Sequence, residues 1–294
     1  MIDLHCHLLP GVDDGAAELS VALEMARAAV ADGVEIVACT PHMLPGVYYN
    51  DGPSIREATQ RLQAVLAHEG IPLRLVTGCD AHMAPKLVTQ LRSGEVLSLA
   101  DSRYVLVEPP HHIAPVRLED FFFGLVASGY VPVLTHPERL TWIKSKYDMI
   151  ERLYQGGVWM QLTAGSLLGM FGRRPLYWAE RMLDEGMVHI LASDAHDALR
   201  RVPNLGTARE VAAKRLGGAE AENLVLTRPR GILADEPPLS LPKTLKAIAS
   251  SEGTKDDFKV KQRTSQRPVA QAPGRNGGSA GRGIASRLRQ FFGS

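Results

Sequence analysis

Along this chain one arrangement recurs: a short, apolar, β-branched run stops, and a histidine or a carboxylate follows at once. Residues 34–41 lead into His42, residues 73–79 into Asp80 and His82, and residues 104–107 into Glu108. Residues 131–135 lead into His136, and residues 187–193 into Asp194 and His196. Each run has the length and composition of a buried strand. The stretches between them read as helices. Residues 17–31 are rich in Ala with Glu, Met and Leu, all strong helix formers. Residues 54–68 follow a Gly-Pro turn and carry an apolar stripe of Leu62, Val65 and Leu66. Residues 118–128, 143–155 and 175–185 read the same way, and Gly33, Gly70, Gly129 and Gly186 stand where helices stop. Strand alternating with helix implies parallel strands joined by right-handed crossovers, an α/β fold. In such folds the carboxyl ends of the strands gather the functional groups, and here the polar residues sit at those ends.

The first strand carries the same signature in Asp3-Leu4-His5-Cys6-His7. Alternate side chains of an extended strand share a face, so His5 and His7 are expected to aim at one point, with Leu4 and Cys6 turned away. Two imidazoles backed by carboxylates are half of a divalent metal site. Taken singly, each feature has a plain reading. His42 after Pro41 suits a loop, residues 136–139 a turn, and residues 194–196 a helix cap followed by an exposed histidine. Glu108 resists that treatment, because a carboxylate entering a barrel mouth is costly unless it is paired or bound to a cation. A metal cluster explains all of them together.

The totals agree with one large domain. A barrel of about 230–250 residues plus a tail fits a chain of 294 residues. A hydrophobic share of 45% is ordinary for a globular protein. No apolar run approaches the ~18 residues of a membrane span, and the start lacks a basic and apolar leader, so a cytoplasmic location is expected. Cys6, Cys39 and Cys79 form no Cys-x-x-Cys pair and read as small buried residues. None is followed six positions later by Arg, the spacing of phosphatases with a cysteine nucleophile. Charge is unevenly divided. Residues 254–294 hold nine Lys/Arg and two Asp/Glu, a charge of +7, which leaves −6 on residues 1–253 of a chain at +1. The tail composition reads as disordered, and residues 237–242, with three prolines, read as a linker. Residues 284–292 suit a short amphipathic turn for a membrane surface, the one route to membrane contact, or for a basic-seeking partner, with a solvated tail as the favoured reading. There is no repeat, no phosphate loop of the Walker type and no nucleic-acid motif.

These residues together resemble the PHP superfamily (polymerase and histidinol phosphatase), and more narrowly the manganese-dependent protein-tyrosine phosphatases of bacterial capsule and exopolysaccharide synthesis. The resemblance rests on residues 2–16, on Ala38-Cys39-Thr40-Pro41-His42, and on residues 129–139 with their His136-Pro137-Glu138-Arg139. Residues 161–169 and Ala192-Ser193-Asp194-Ala195-His196 complete it. It implies a distorted (β/α)7 barrel over residues 1–235, with residues 236–294 as linker and basic, disordered tail. It implies a first metal on His5, His7 and Asp194. Asp80 would bridge to a second metal on Glu108 and His136, and a third would sit on Asp14, His42 and His196. Two or three divalent ions are implied, Mn2+ first, with Fe, Co or Zn as other fits. Arg139 resembles a phosphate-binding arginine, and Arg201, or its neighbour Arg200, a second. One departure stands out: the bridging position is usually Glu and here is Asp80, shorter by a methylene, with His82 nearby. Asp13 is read as orienting the opening loop, and His111 and His112 as rim residues.

The activity so implied is hydrolysis of phosphotyrosine without a cysteine nucleophile, on the tyrosine-rich tail of a bacterial kinase that controls polysaccharide export. The alternatives are a small-molecule phosphoesterase of the histidinol-phosphate type and a non-catalytic docking barrel. A nuclease of the same superfamily is disfavoured by the acidic body, since nucleic acid calls for a basic face, and no nucleic-acid partner is expected.

Overall fold

The structure is a computed structural model, and it describes residues 1–246. Among the described residues nine strands form, all paired in parallel: β1 Ile2–Cys6, β2 Ile36–Cys39, β3 His42–Met43, β4 Arg74–Thr77, β5 Asp80–His82, β6 Tyr104–Glu108, β7 Val131–Thr135, β8 Trp159–Thr163 and β9 Ile190–Ala192. They occupy seven positions around a barrel, because β2 with β3 and β4 with β5 are two broken strands. Pro41 interrupts the first, lacking the N–H a ladder needs, and Gly78-Cys79 interrupts the second. Below the breaks the order is β1-β2-β4; above them it is β3-β5-β6-β7-β8-β9. The ring closes where Asp194 N donates to His5 O at 2.8 Å and His7 N donates to Ala195 O at 2.9 Å. The expected distorted seven-position barrel is therefore present.

Alternation along the strands sorts the core into two layers. Val105, Val107, Leu134, Met160 and Leu162 pack outward with Met25, Ile55, Phe122, Ile150 and Met182 of the surrounding helices. Leu4, Ala38, Tyr104, Leu106, Val133 and Trp159 fill the interior. The first strand departs from simple alternation. Its register shifts between Asp3 and Cys6, so Leu4 lies in the interior layer while Cys6 lies in the outer one. The expectation that Leu4 and Cys6 share a face fails for that reason. The shift leaves His5 and His7 free to converge.

The helices follow the sequence closely. The one expected over 54–68 starts at Gly52, because Asp51 and Ser54 form a reciprocal cap: Ser54 N donates to Asp51 Oδ1 at 2.8 Å and Asp51 N to Ser54 Oγ at 3.1 Å. It ends at His68, and Gly70, at φ 65°, takes the left-handed turn that follows. The helix expected over 143–155 is instead a 3-10 turn, Ile143–Ser145, and a helix, Tyr147–Gln155. Ser145 Oγ donates to Trp142 O at 3.0 Å, a local bond that competes with helix continuation. The strand Trp159–Thr163 is absent from the apolar-run pattern because Gln161 stands in its middle.

Residues 237–242 are not a free linker. Leu241 is buried with Ile232 in the floor of the interior layer, and Lys246 N donates to Gly186 O at 3.0 Å. The tail expected to be disordered and the amphipathic turn expected at 284–292 lie outside the described residues. No helix among the described residues is long and apolar enough to cross a membrane.

Candidate metal centre

The candidate residues meet at the carboxyl ends of the strands. His5 is the penultimate residue of β1, His42 opens β3, Asp80 and His82 bound β5, and Glu108 ends β6. His136 and Asp194 stand just past β7 and β9, both with positive φ, 33° and 50°. Non-glycine residues persist in that region only where their surroundings hold them, and they cluster at functional sites. The opening loop folds back over His7. A side chain at Gly15 would place its Cβ 2.2 Å from His7 O, so only glycine allows this approach.

Three imidazoles are held by their outer nitrogens. His5 Nδ1 donates to Gln161 Oε1 at 2.9 Å, His7 Nδ1 to Asp13 Oδ2 at 2.7 Å, and His196 Nδ1 to Asp194 O at 3.0 Å. Each therefore turns a bare Nε2 lone pair inward. His5 Nε2 and His7 Nε2 face each other at 3.2 Å, and the rings of His7 and His196 are 3.9 Å apart. Lone pairs so placed repel unless a proton or a metal cation lies among them. Both oxygens of the fully buried Asp80 and the Nε2 of His196 lack any hydrogen-bond donor, a state that is costly without a cation.

Spacing supports the same reading. Two ligands each ~2.0–2.2 Å from one ion stand ~3.0 Å apart at a right angle and ~3.4 Å apart at a tetrahedral one. His5 Nε2 lies 3.6 Å from Asp80 Oδ2 and from Asp194 Oδ1, and His7 Nε2 lies 3.5 Å from Asp194 Oδ1. Asp14 Oδ1 lies 3.5 Å from His42 Nε2 and 3.6 Å from His196 Nε2. His42 Nδ1 lies 3.3 Å from Asp80 Oδ2 and 3.6 Å from Glu108 Oε2. His/Asp/Glu sets with all ligand atoms within 4.8 Å are His5, His7 and Asp80; His7, Asp14, His42 and His196; His42, Asp80 and Glu108; and Glu108, His111 and His136. The residues present fit divalent cations, with nitrogen and carboxylate donors suited to Mn, Fe or Zn. Asp80 joins the His5–His7 side to the Glu108 side, while His111 completes the set with Glu108 and His136.

The electrostatics follow from burial opposed by neighbours. Burial works against a charge on His7, yet the Asp13 and Asp194 carboxylates push it up to about 10. The field that would hold a proton there also holds a cation. Burial would raise Asp194, but His5, His7, Arg201 and Arg139 keep it well below the usual carboxylate range. Glu108 is held low against its burial by His111, His82, His136 and His42. Burial and then the Arg139 charge lower His136 far below an ordinary histidine, so it stays neutral. Glu138, fully buried behind the turn, is pushed up to about 7 by burial and accepts from Thr163 N at 3.0 Å.

Arg139 donates to Asp194 Oδ2, and Arg201 Nη2 donates to the same oxygen at 2.7 Å. Arg201, rather than Arg200, carries this contact. The Phe171 ring lies beneath both guanidinium groups, with Cζ of Arg139 4.4 Å and Cζ of Arg201 5.8 Å from its centre. These residues open into a cavity of about 550 Å3 whose rim includes Val47, Tyr48 and Ile113.

All eleven candidate residues thus lie at one mouth. The rim reading of His111 does not hold: its Nε2 is 3.0 Å from Glu108 Oε1. His82 is engaged as well, its Nδ1 3.2 Å from Glu108 Oε2. Asp13 serves His7, His42 N and Gly15 N. Gln161 falls within the matching stretch 161–169 but has no role there from sequence, and Phe171 is unmarked. A lone Gln inside an apolar run was the available signal for the first; nothing local marked the second.

The family model of capsular polysaccharide synthesis proteins, CpsB/CapC, matches residues 1–234. The chain belongs to this family. The motif-based resemblance is therefore borne out. The tyrosine-protein phosphatase YwqE of Bacillus subtilis is 37% identical over 217 residues, 74% of this chain and 85% of that protein. The tyrosine-protein phosphatase CpsB of Streptococcus pneumoniae is 25% identical over 241 residues, 80% of this chain and 99% of its own length. A solved structure from the pair YwqE and CpsB, described as unique metal-dependent tyrosine phosphatases, superposes with a TM-score of 0.78 at 35% identity, covering 81% of this chain and 96% of that one. This CpsB/CapC member thus shares barrel and extent with metal-dependent enzymes.

Proposed function

We propose that this chain is a metal-dependent protein-tyrosine phosphatase acting on the phosphorylated tail of a bacterial tyrosine kinase in capsular or exopolysaccharide synthesis. The observation that carries the reading is Asp194, one carboxylate shared between three imidazoles and two arginines. It supports a reading in which phosphate-binding arginines stand directly beside a cation cluster. His5, His7 and Asp194 would hold one ion, with Asp80, Glu108 and His136 around a second, and Asp14, His42 and His196 around a third. Mn2+ is the first candidate, with Fe, Co or Zn also compatible with these donors. Bound divalent ions supply a hydroxide nucleophile at neutral pH and neutralise phosphoryl charge.

The chain's own residues do the rest. Arg139 and Arg201 present planar forks that match phosphoryl oxygens. Arg201 Nε is buried and has no partner, so it is a donor free for substrate. Phe171 holds both guanidinium planes. Val47, Tyr48 and Ile113 give the mouth an apolar lip suited to a phenyl ring. The phenolate of tyrosine, with a pKa of about 10, leaves readily and asks little of a general acid. A disordered kinase tail can enter the open mouth, with an ordering cost on binding. The phosphatase unit is residues 1–235, and a cytoplasmic location follows from the kinase-tail substrate.

Phosphate release from a phosphotyrosine peptide, with and without Mn2+, tests the reading beside Arg139→Ala and His136→Ala. Turnover that needs the metal and is lost in both variants is expected. Faster turnover of histidinol phosphate than of the peptide, or no turnover by folded protein with any divalent metal, would reject it.

A further inference from the structure

We infer that His111 is a ligand of the cation held at Glu108 and His136, taking up coordination that the short Asp80 side chain leaves open. The inference rests on the metal-dependent reading above. His111 lies in the loop after β6, where the sequence suggests only a rim. The structure instead pins this loop: Thr141 N and Oγ1 donate to His111 O at 2.9 and 3.0 Å, and Trp142 Nε1 donates to Pro110 O at 3.0 Å. The tether comes from the segment that follows His136 and Arg139, so His111 and His136 are set by one rigid turn. Their rings meet edge to face at 5.0 Å.

Glu108 Oε1 then has two imidazole nitrogens around it, His111 Nε2 at 3.0 Å and His136 Nε2 at 3.6 Å. The closer contact is short but poorly aligned for a hydrogen bond, since the buried Nε2 of His111 makes no well-directed one. Close approach without alignment is what two ligands of one ion show, since each lone pair points at the ion and not at the other atom. The separations, 3.0 and 3.6 Å, lie at and slightly beyond the ~3.0–3.4 Å edges of a coordination shell with ~2.0–2.2 Å bonds. Two imidazoles and one carboxylate form a set suited to Mn, Fe or Zn. The other oxygen of Glu108 is engaged by His82, which leaves Oε1 free for this role.

The test is metal binding rather than turnover. Full-length protein stripped with chelator is titrated with Mn2+, free ion being followed by its paramagnetic resonance signal, and with Co2+, followed by its visible bands. Wild type, His111→Ala, His111→Gln and the remote, exposed His68→Ala are compared, each shown to be folded by circular dichroism. The expected result is that both His111 variants hold about one ion fewer per chain, or bind the last ion at least tenfold more weakly, and alter the Co2+ bands, while His68→Ala matches wild type. Where the alanine variant does not fold, the glutamine variant decides. Titrations of His111 variants that overlay wild type would overturn the inference, even if their turnover fell, because His111 would then act on substrate or protons. Metal binding by wild type without phosphotyrosine hydrolysis would reject the proposed substrate and leave this inference standing. Wild type that retains no divalent ion would reject both.

Discussion

Arg201 Nη2 reaches Asp194 Oδ2 at 2.7 Å while Oδ1 of the same carboxylate faces His5 and His7 at 3.6 and 3.5 Å. One buried side chain therefore fixes the distance between the arginine pair and the histidine–carboxylate cluster. Loss of a preorganised, charge-assisted donor commonly costs about 10²–10³ in rate. Arg139→Ala and Arg201→Ala should each lower kcat/KM on a phosphotyrosine peptide by about that factor. Because both arginines share one oxygen and one aromatic ring, the double variant should lose clearly less than the product of the two. Arg139→Lys should rescue poorly, since a point charge cannot replace a planar fork. Strict additivity in kcat/KM would show that the two arginines act independently.

Asp13 makes a second point of control. Its carboxylate accepts from His7 Nδ1 at 2.7 Å, from His42 N at 3.0 Å and from Gly15 N at 2.9 Å. It orients one imidazole and anchors the strand carrying another. Partners of this kind typically tune metal affinity 10–100-fold. Asp13→Ala should weaken Mn2+ binding by that amount, read by titration of the metal-free protein. Unchanged affinity would mean that Gly15 and the backbone alone hold the loop.

The barrel and most of the site were legible because parallel strands put chemistry at their carboxyl ends, and apolar runs mark strands. His136, Glu108 and Asp194 could be read that way, each directly following such a run. What stayed hidden depended on non-local packing. The register shift that separates Leu4 from Cys6 shows only in the pairing of β1 with β2, strands from distant parts of the sequence. Gln161 interrupts an apolar strand because it must bond His5, far away in sequence. His111 looks like a loop residue until the turn at Thr141 and Trp142 draws it inward. Phe171 becomes a support only when two arginines from distant loops lie over it.

Cys39 offers a pH-dependent test away from the metals. Its thiol is fully buried, and burial, opposed only by the Thr59 hydroxyl, pushes it up to about 12 from 9.0. The folded thiol stays protonated while the unfolded one ionises, so its contribution is fully present below pH ~9 and is lost as pH rises toward 12. Three pH units correspond to about 4 kcal/mol at most. Urea midpoints of Cys39→Ala should fall less steeply between pH 9 and 11 than those of wild type, whatever the offset from the lost sulfur. Parallel pH profiles would show that this thiol titrates normally in the folded protein.

Arg228 holds the barrel floor in a way that predicts stability. It is fully buried and bonds Glu220 at 2.8 and 3.0 Å, His189 O at 3.2 Å, Pro242 O at 2.8 Å and Lys243 O at 2.9 Å. Residues 242–243 are thus strapped beneath β9, with Leu241 plugging the interior. Removing one partner of a buried ion pair leaves the other charge uncompensated, at a cost of about 3–5 kcal/mol. Arg228→Ala should lose that much in urea unfolding. Arg228→Met combined with Glu220→Leu should recover part of it, because no buried charge remains, although the two strap carbonyls lose their donors. A double variant no more stable than Arg228→Ala would assign the loss to those carbonyls, making the strap, and not the ion pair, what Arg228 secures.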